Sequence, residues 1–279
     1  MQPLYEFGGD GPVMHIAPAN GFPPQTYIPL VRHFTDAYRV LCLPPRSLWP
    51  DERPPEQRIY WHKLIATDLL DGLRAHNLTD VIAVGHSFGG VASLIAAERE
   101  PERFRALILL DPTILPGFIM RMLQTLRVLR MRTFGTNMAD RAEKRRNDFQ
   151  SREEAYDYFK GRRLFAAWPE ETLRLYVDSM LPDENGGVKL AWPPAWESYV
   201  FHTFYAGTWR HVPGVRGKVP VLIVRGGASD TYRPDAVKQM ARALPEAAAR
   251  EVPGHGHLFP LEAPDATASV ILEWLKEVK

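Results

Sequence analysis

Hydrophobic positions along the chain follow two alternating rhythms. Short apolar runs rich in β-branched residues predict strands at 13–17, 38–43, 81–84, 106–110 and 219–224, with a shorter one near 249–252. Segments whose apolar residues recur every three or four positions predict helices at 27–36, 61–77, 90–98, 234–244 and 264–278. In the second of these the apolar face runs through 61, 64, 65, 69 and 73. Strand and helix therefore alternate as a doubly wound, mostly parallel α/β sheet requires, with helices on both faces. Only residues 4–7 precede the first central strand, so the antiparallel edge is expected to be reduced.

The alternation stops after residue 112 and resumes near 218. About 100 residues is too long for a loop, and this stretch is rich in helix formers. It predicts an α/β domain made of residues 1–112 and 218–279, interrupted by a helical cap at 113–217. The first cap helix, 117–132, places Ile119, Met122, Leu123, Leu126 and Leu129 on one face, which is expected to pack on the domain. Its other face carries part of a basic bias, eight Lys or Arg against three Asp or Glu between 116 and 150, expected to be solvated. The later cap is aromatic, with Phe165, Trp168, Trp192, Trp196, Tyr199, Phe201, Phe204, Tyr205 and Trp209 expected mainly in its core.

Composition narrows the function classes. A chain of 279 residues, 45% hydrophobic and with formal net charge +1, can bury a large core and offers no basic surface for nucleic acid. The first ten residues lack a basic start and an apolar core, and no apolar run approaches 18 residues, so a cytoplasmic protein without stable membrane insertion is expected. The single cysteine, Cys42, excludes an intramolecular disulfide and reads as a small core hydrophobe. No His-Glu-x-x-His cluster and no phosphate-binding glycine loop occurs, so neither a metal nor a cofactor is expected.

The chemistry concentrates in Gly85-His86-Ser87-Phe88-Gly89, between the 81–84 strand and a helix of small residues. This is the G-x-S-x-G arrangement, in which a strained strand-to-helix turn lifts a serine hydroxyl above the sheet, and glycines leave room where helix and strand approach. Ser87 is thus the candidate nucleophile. The backbone N–H of Phe88, the next residue, is a candidate oxyanion donor.

With this elbow the chain resembles α/β-hydrolase fold serine hydrolases with a helical cap, of the carboxylesterase kind, along nearly all its length except the middle. The resemblance implies a Ser, acid, His order. The segment from Pro253 to Pro264 resembles the Gly-His loop of that family and selects His257 as the base, with His255 as competitor. The Gly226 to Asp230 turn resembles the family's acid turn and makes Asp230 the first choice. Asp111, at the end of the preceding strand, is the alternative location, or else a turn former before Pro112. Ala19-Asn20-Gly21-Phe22-Pro23 resembles the family's His-Gly-Phe-Pro loop with asparagine replacing histidine; Phe22 then offers the second oxyanion N–H, and Asn20 an Asx-type contact. A serine at the elbow argues against haloalkane dehalogenases and epoxide hydrolases, which use aspartate there.

The function these residues imply is cofactor-free hydrolysis of neutral carboxylic esters of short to medium acyl chain, through a Ser-His-Asp triad and an acyl-enzyme. The same triad serves carbon–carbon bond hydrolases, lactonases, thioesterases and haloperoxidase-like relatives. A ligand receptor with a retained triad is the non-enzymatic alternative.

Overall fold

The computed structural model describes residues 2–56, 60–129, 131 and 134–278. In chain order its first half comprises β1 (Tyr5–Gly8), β2 (Val13–Ala17), α1 (Ile28–Val31), β3 (Arg39–Cys42), α2 (Trp61–Ala75), β4 (Val81–His86), α3 (Phe88–Arg99) and β5 (Phe104–Leu110). An inserted region follows: α4 (Gly117–Val128), α5 (Phe134–Glu143), β6 (Asp148–Phe149), α6 (Arg152–Lys160), α7 (Glu170–Asp178), β7 (Leu181–Pro182), β8 (Val188–Lys189) and α8 (Pro194–His202). The α/β alternation then resumes with β9 (Val221–Gly226), α9 (Pro234–Ala243), β10 (Ala248–Val252), α10 (Phe259–Glu262) and α11 (Pro264–Glu277).

Seven strands form one sheet in the order β1-β3-β2-β4-β5-β9-β10, parallel except for β1, which pairs antiparallel with β3. The reduced edge is thus a single four-residue strand. Side chains of the central strands alternate between two buried layers, as the period of two demands. Val81, Ala83, Leu107, Leu109, Val221 and Ile223 face α2, α3 and α9. Ile82, Val84, Ala106, Ile108, Leu222 and Val224 face α1 and α11. Both faces being covered is the reason these strands read as continuous apolar runs. Cys42 lies fully buried in β3, and burial pushes its thiol pKa up.

Three sequence expectations change. The helix expected at 27–36 is a 3-10 turn, Pro24–Tyr27, one turn of α1, and then i→i+3 bonds from Phe34 to Val31 and Ala37 to Phe34, which tuck Tyr27 and Phe34 inward. The first insert helix does not bury the face expected of it: Met122 and Leu129 are 51% and 62% exposed. Met120 is buried instead, and Ile119, Leu123 and Leu126 are half-buried. At 100° per residue the contacting face is centred near Leu123, which turns Met122 outward. Finally, the insert is not purely helical, since β6, β8 and β7 form a small antiparallel sheet. Of the aromatic residues expected in its core, Phe165, Trp168, Trp192, Trp196 and Tyr199 are buried, and Phe149, Phe159 and Tyr176 join them.

Candidate active site

Backbone geometry at the elbow is set by steric crowding. Ser87 adopts φ 57° and ψ −117°, a conformation L-residues rarely hold. It is tolerated because α3 leaves β4 almost at once: a Cβ on Gly85 would lie 2.5 Å from the Gly90 Cα, and one on Gly89 2.3 Å from the Ala17 carbonyl oxygen. The Ser87 N–H is tied sideways to the Leu110 carbonyl of β5 at 2.9 Å.

That positioning brings Ser87 Oγ within 2.8 Å of His257 Nε2 and 3.0 Å of Thr113 Oγ1. The other ring nitrogen of His257, Nδ1, lies 2.7 Å from Asp111 Oδ2. Asp111 has no exposed surface. Its carboxylate accepts from Gly226 N–H at 3.0 Å on Oδ1, and from Ser229 Oγ at 2.5 Å and Tyr232 N–H at 3.4 Å on Oδ2. Such a cage of donors satisfies the oxygens of the buried carboxyl group. Its positive φ of 42° turns the chain inward where β5 ends, between β4 and β9.

Asp230, the first choice for the acid, is not brought to the histidine. It is exposed, and its nearest described hydrogen bond is a 3.4 Å contact from Thr231 Oγ1. The turn after β9 points Ser229 inward and Asp230 outward, so the side chain one residue earlier reaches the site. His255 is also elsewhere, 3.3 Å from Glu262 Oε2. His257, Ser87 and the alternative acid Asp111 are the three that meet.

On the oxyanion side one of the two expected donors already has a partner. Phe88 begins α3, so its N–H belongs to the first turn, whose donors have no intrahelical partner. The Phe22 N–H, by contrast, closes a turn on the Ala19 carbonyl at 3.2 Å, across Gly21 with φ 92°. Asn20 makes no Asx contact; its amide donates to the Glu197 carbonyl of α8 at 3.2 Å, pinning the loop to the insert. The Phe22 ring packs 5.6 Å from Trp168 and 6.1 Å from Tyr176. Above it Arg145 is paired with Glu197 at 2.7 Å and bonded to the Tyr176 hydroxyl.

Thr113 was not legible as a site residue, since it lies in no motif, and Ser229 lies within the Gly226–Asp230 turn, where the aspartate beside it drew the assignment. Their shared signal is position, immediately past the ends of β5 and β9. No group of three or more His, Cys, Asp or Glu side chains able to hold a metal occurs among the described residues, and no described helix is long and apolar enough to cross a membrane.

Known proteins share this arrangement of strands and insert. The chain is 24% identical over 275 residues to 2-(acetamidomethylene)succinate hydrolase of Mesorhizobium japonicum, covering 96% of this chain and 89% of that one. The crystal structure of E-2-(acetamidomethylene)succinate hydrolase superposes with a TM-score of 0.81 at 20% identity, over 98% of this chain and 94% of that one. A thermophilic esterase from Thermogutta terrifontis, solved with malate bound, gives 0.65 at 19% identity, over 99% and 93%. The sequence pattern of the alpha/beta hydrolase family matches residues 16–270, from the strand before the Asn20 loop to the helix after His257. A serine on this elbow, in this sheet, within a match of that length leaves one assignment: the chain belongs to the alpha/beta hydrolase family.

Proposed function

We propose that this hydrolase cleaves carboxylic esters of short to medium acyl chain through an acyl-enzyme on Ser87, with His257 as base and Asp111, rather than Asp230, as acid. The observation that carries the reading is the continuous line from Ser87 Oγ to His257 to Asp111, with hydrogen-bond distances of 2.8 and 2.7 Å. In this reading residues 1–112 and 218–279 form the catalytic domain and 113–217 the cap.

Ser87 Oγ attacks the ester carbonyl while His257 Nε2 takes its proton. Asp111 stays ionised, holds the proton on Nδ1 and stabilises the imidazolium. The tetrahedral oxyanion is met by the Phe88 N–H and by the Phe22 N–H, which exchanges its 3.2 Å bond to the Ala19 carbonyl for the oxyanion. Collapse breaks the bond to the alcohol, which leaves with the proton from His257. Water then attacks the acyl-enzyme by the same route, restoring Ser87.

A neutral substrate is supported by the wall next to the Asn20 loop, where Arg145 is matched by Glu197, so this pair carries no net charge. The second reading is amide hydrolysis of a carboxylate-bearing substrate, in line with the Mesorhizobium japonicum relative, a 2-(acetamidomethylene)succinate hydrolase. The test is phosphonate labelling combined with kcat/KM for p-nitrophenyl acetate through palmitate and for an N-acyl enamine dicarboxylate. Labelling confined to Ser87 and lost in Ser87→Ala, with kcat/KM rising several-fold per methylene and then falling, is expected. Rapid turnover of the dicarboxylate with no ester response would replace the ester reading with the second. Retained labelling of Ser87→Ala would remove the nucleophile assignment.

A further inference from the structure

One polar chain beneath the site, buried as far as His86, is unused by the mechanism. The Ala19 N–H donates to Tyr27 Oη at 2.9 Å, Tyr27 Oη lies 2.7 Å from His86 Nδ1, and His86 Nε2 lies 2.9 Å from the His257 carbonyl oxygen. Tyr27 and His86 are each 1% exposed. Neither is needed to fill space as a polar group, since an apolar ring of the same size would fill it without the cost of burying hydrogen-bonding atoms.

Every proton in the chain has one consistent place. A carbonyl oxygen only accepts, so His86 Nε2 carries the hydrogen and donates to His257. His86 Nδ1 is then a lone pair, which takes the Tyr27 O–H, and the Tyr27 oxygen takes the Ala19 N–H. Burial, and then the nearby His257, hold the His86 pKa down at about 3, so the ring stays neutral and this order of donors persists at working pH. The same neutrality matters 5.3 Å away, where the His257 ring must accept a proton beside it.

What the chain joins is the point. Ala19 opens the loop that carries Asn20 and Phe22. His86 is the residue before the nucleophile. The His257 carbonyl belongs to the base itself. Resting on the proposed roles of Ser87 and His257, we infer that Tyr27 and His86 are positioning residues: together they fix the base's backbone and the Asn20–Phe22 loop relative to the elbow, and so set the reach of His257 Nε2 to Ser87 Oγ.

The test compares Tyr27→Phe, His86→Gln and His86→Phe with the unaltered protein, measuring the rate of Ser87 phosphonylation, kcat and KM for a p-nitrophenyl ester, and the melting temperature. A misplacement near 1 Å costs on the order of 100-fold, so His86→Phe should lose about that in both kcat and phosphonylation, with KM changed less than about twofold. Glutamine keeps an N–H for the His257 carbonyl and should recover to within about tenfold of the unaltered rate. Tyr27→Phe, which removes one hydroxyl, should lose about tenfold in kcat and carries the test if His86→Phe does not fold. Unchanged kcat and phosphonylation in a folded variant, however much its melting temperature falls, would overturn the inference. So would equal damage in His86→Gln and His86→Phe. Failure of the unaltered protein to be phosphonylated at Ser87 would instead sink the proposed function and this inference with it.

Discussion

The turns after β5 and β9 each present an aspartate at the same end of the sheet, and they treat it in opposite ways. Asp111 is withdrawn from water, receives three donors besides His257, and sits where the chain bends through a positive φ. Asp230 stands in solvent. The turn after β9 still contributes, because its Ser229 hydroxyl and its Gly226 N–H both donate to Asp111. One turn supplies the charge and the other supplies the donors that make burying it affordable. A carboxylate one residue out of phase with its strand's inward direction therefore does not reach the histidine, however well its motif fits.

The contrast breaks most decisively at Asp111. Asp111→Asn should lose roughly 10⁴ in kcat, since an amide cannot hold His257 in the required tautomer, while Asp230→Asn should stay within about twofold. Steady-state kinetics on the two variants checks this, and the reverse order would return the acid to the turn after β9. A smaller effect is expected from Ser229→Ala, which strips a 2.5 Å hydrogen bond from the buried carboxylate. It should destabilise the protein by about 1–3 kcal/mol and lower kcat by about tenfold, measured by urea unfolding and kinetics. Asp230→Ala in the same assays should do neither.

The last effect is one of pH and acts on stability rather than on rate. Burial holds His15 and His86 neutral, with pKa values lowered to about 4 and about 3. Unfolded, both would titrate near 6.5 and bind more protons than the native chain below that pH. Stability is thus full above about pH 6.5 and falls as the pH drops toward 4, by up to about 1.4 kcal/mol per pH unit for each ring. Urea midpoints from pH 7 to 4.5 measure it. Flat midpoints across that window would show that the two rings are not buried neutral.

The framework was legible because its strands are buried on both faces. Runs such as Val81-Ile82-Ala83-Val84 and Leu107-Ile108-Leu109-Leu110 have no other stable place than a covered parallel sheet. Ser87 and His257 were readable because each lies in a glycine-bearing turn: at the elbow a Cβ on Gly85 or Gly89 would meet backbone, and before His257 the chain turns through Gly254 at φ 79°. Between the two candidate acids, Asp230 and Asp111, the sequence favoured Asp230, because Ser229 and Asp230 are adjacent and only the φ/ψ of the turn decides which one faces inward. Residues such as Tyr27, Thr113 and Glu197 escaped because they act through contacts far apart in sequence, which no local pattern records. The two-residue strands β6, β7 and β8 are too short to show a period.

The Asn20 bond to the Glu197 carbonyl ties the Asn20–Phe22 loop to the insert. Whatever lifts α8 from the sheet removes the tether of the segment that carries a proposed oxyanion donor, so an open protein is also a less competent one. Reciprocity requires the converse: a tetrahedral adduct that engages the Phe22 N–H should draw the insert down. Amide exchange across α8 should then slow when a phosphonate occupies Ser87, with no contact between the adduct and that helix needed. Exchange in α8 that ignores the adduct would mean that the two move independently. If the coupling holds, the protein gates its own chemistry, and the insert reports site occupancy to the surrounding solution.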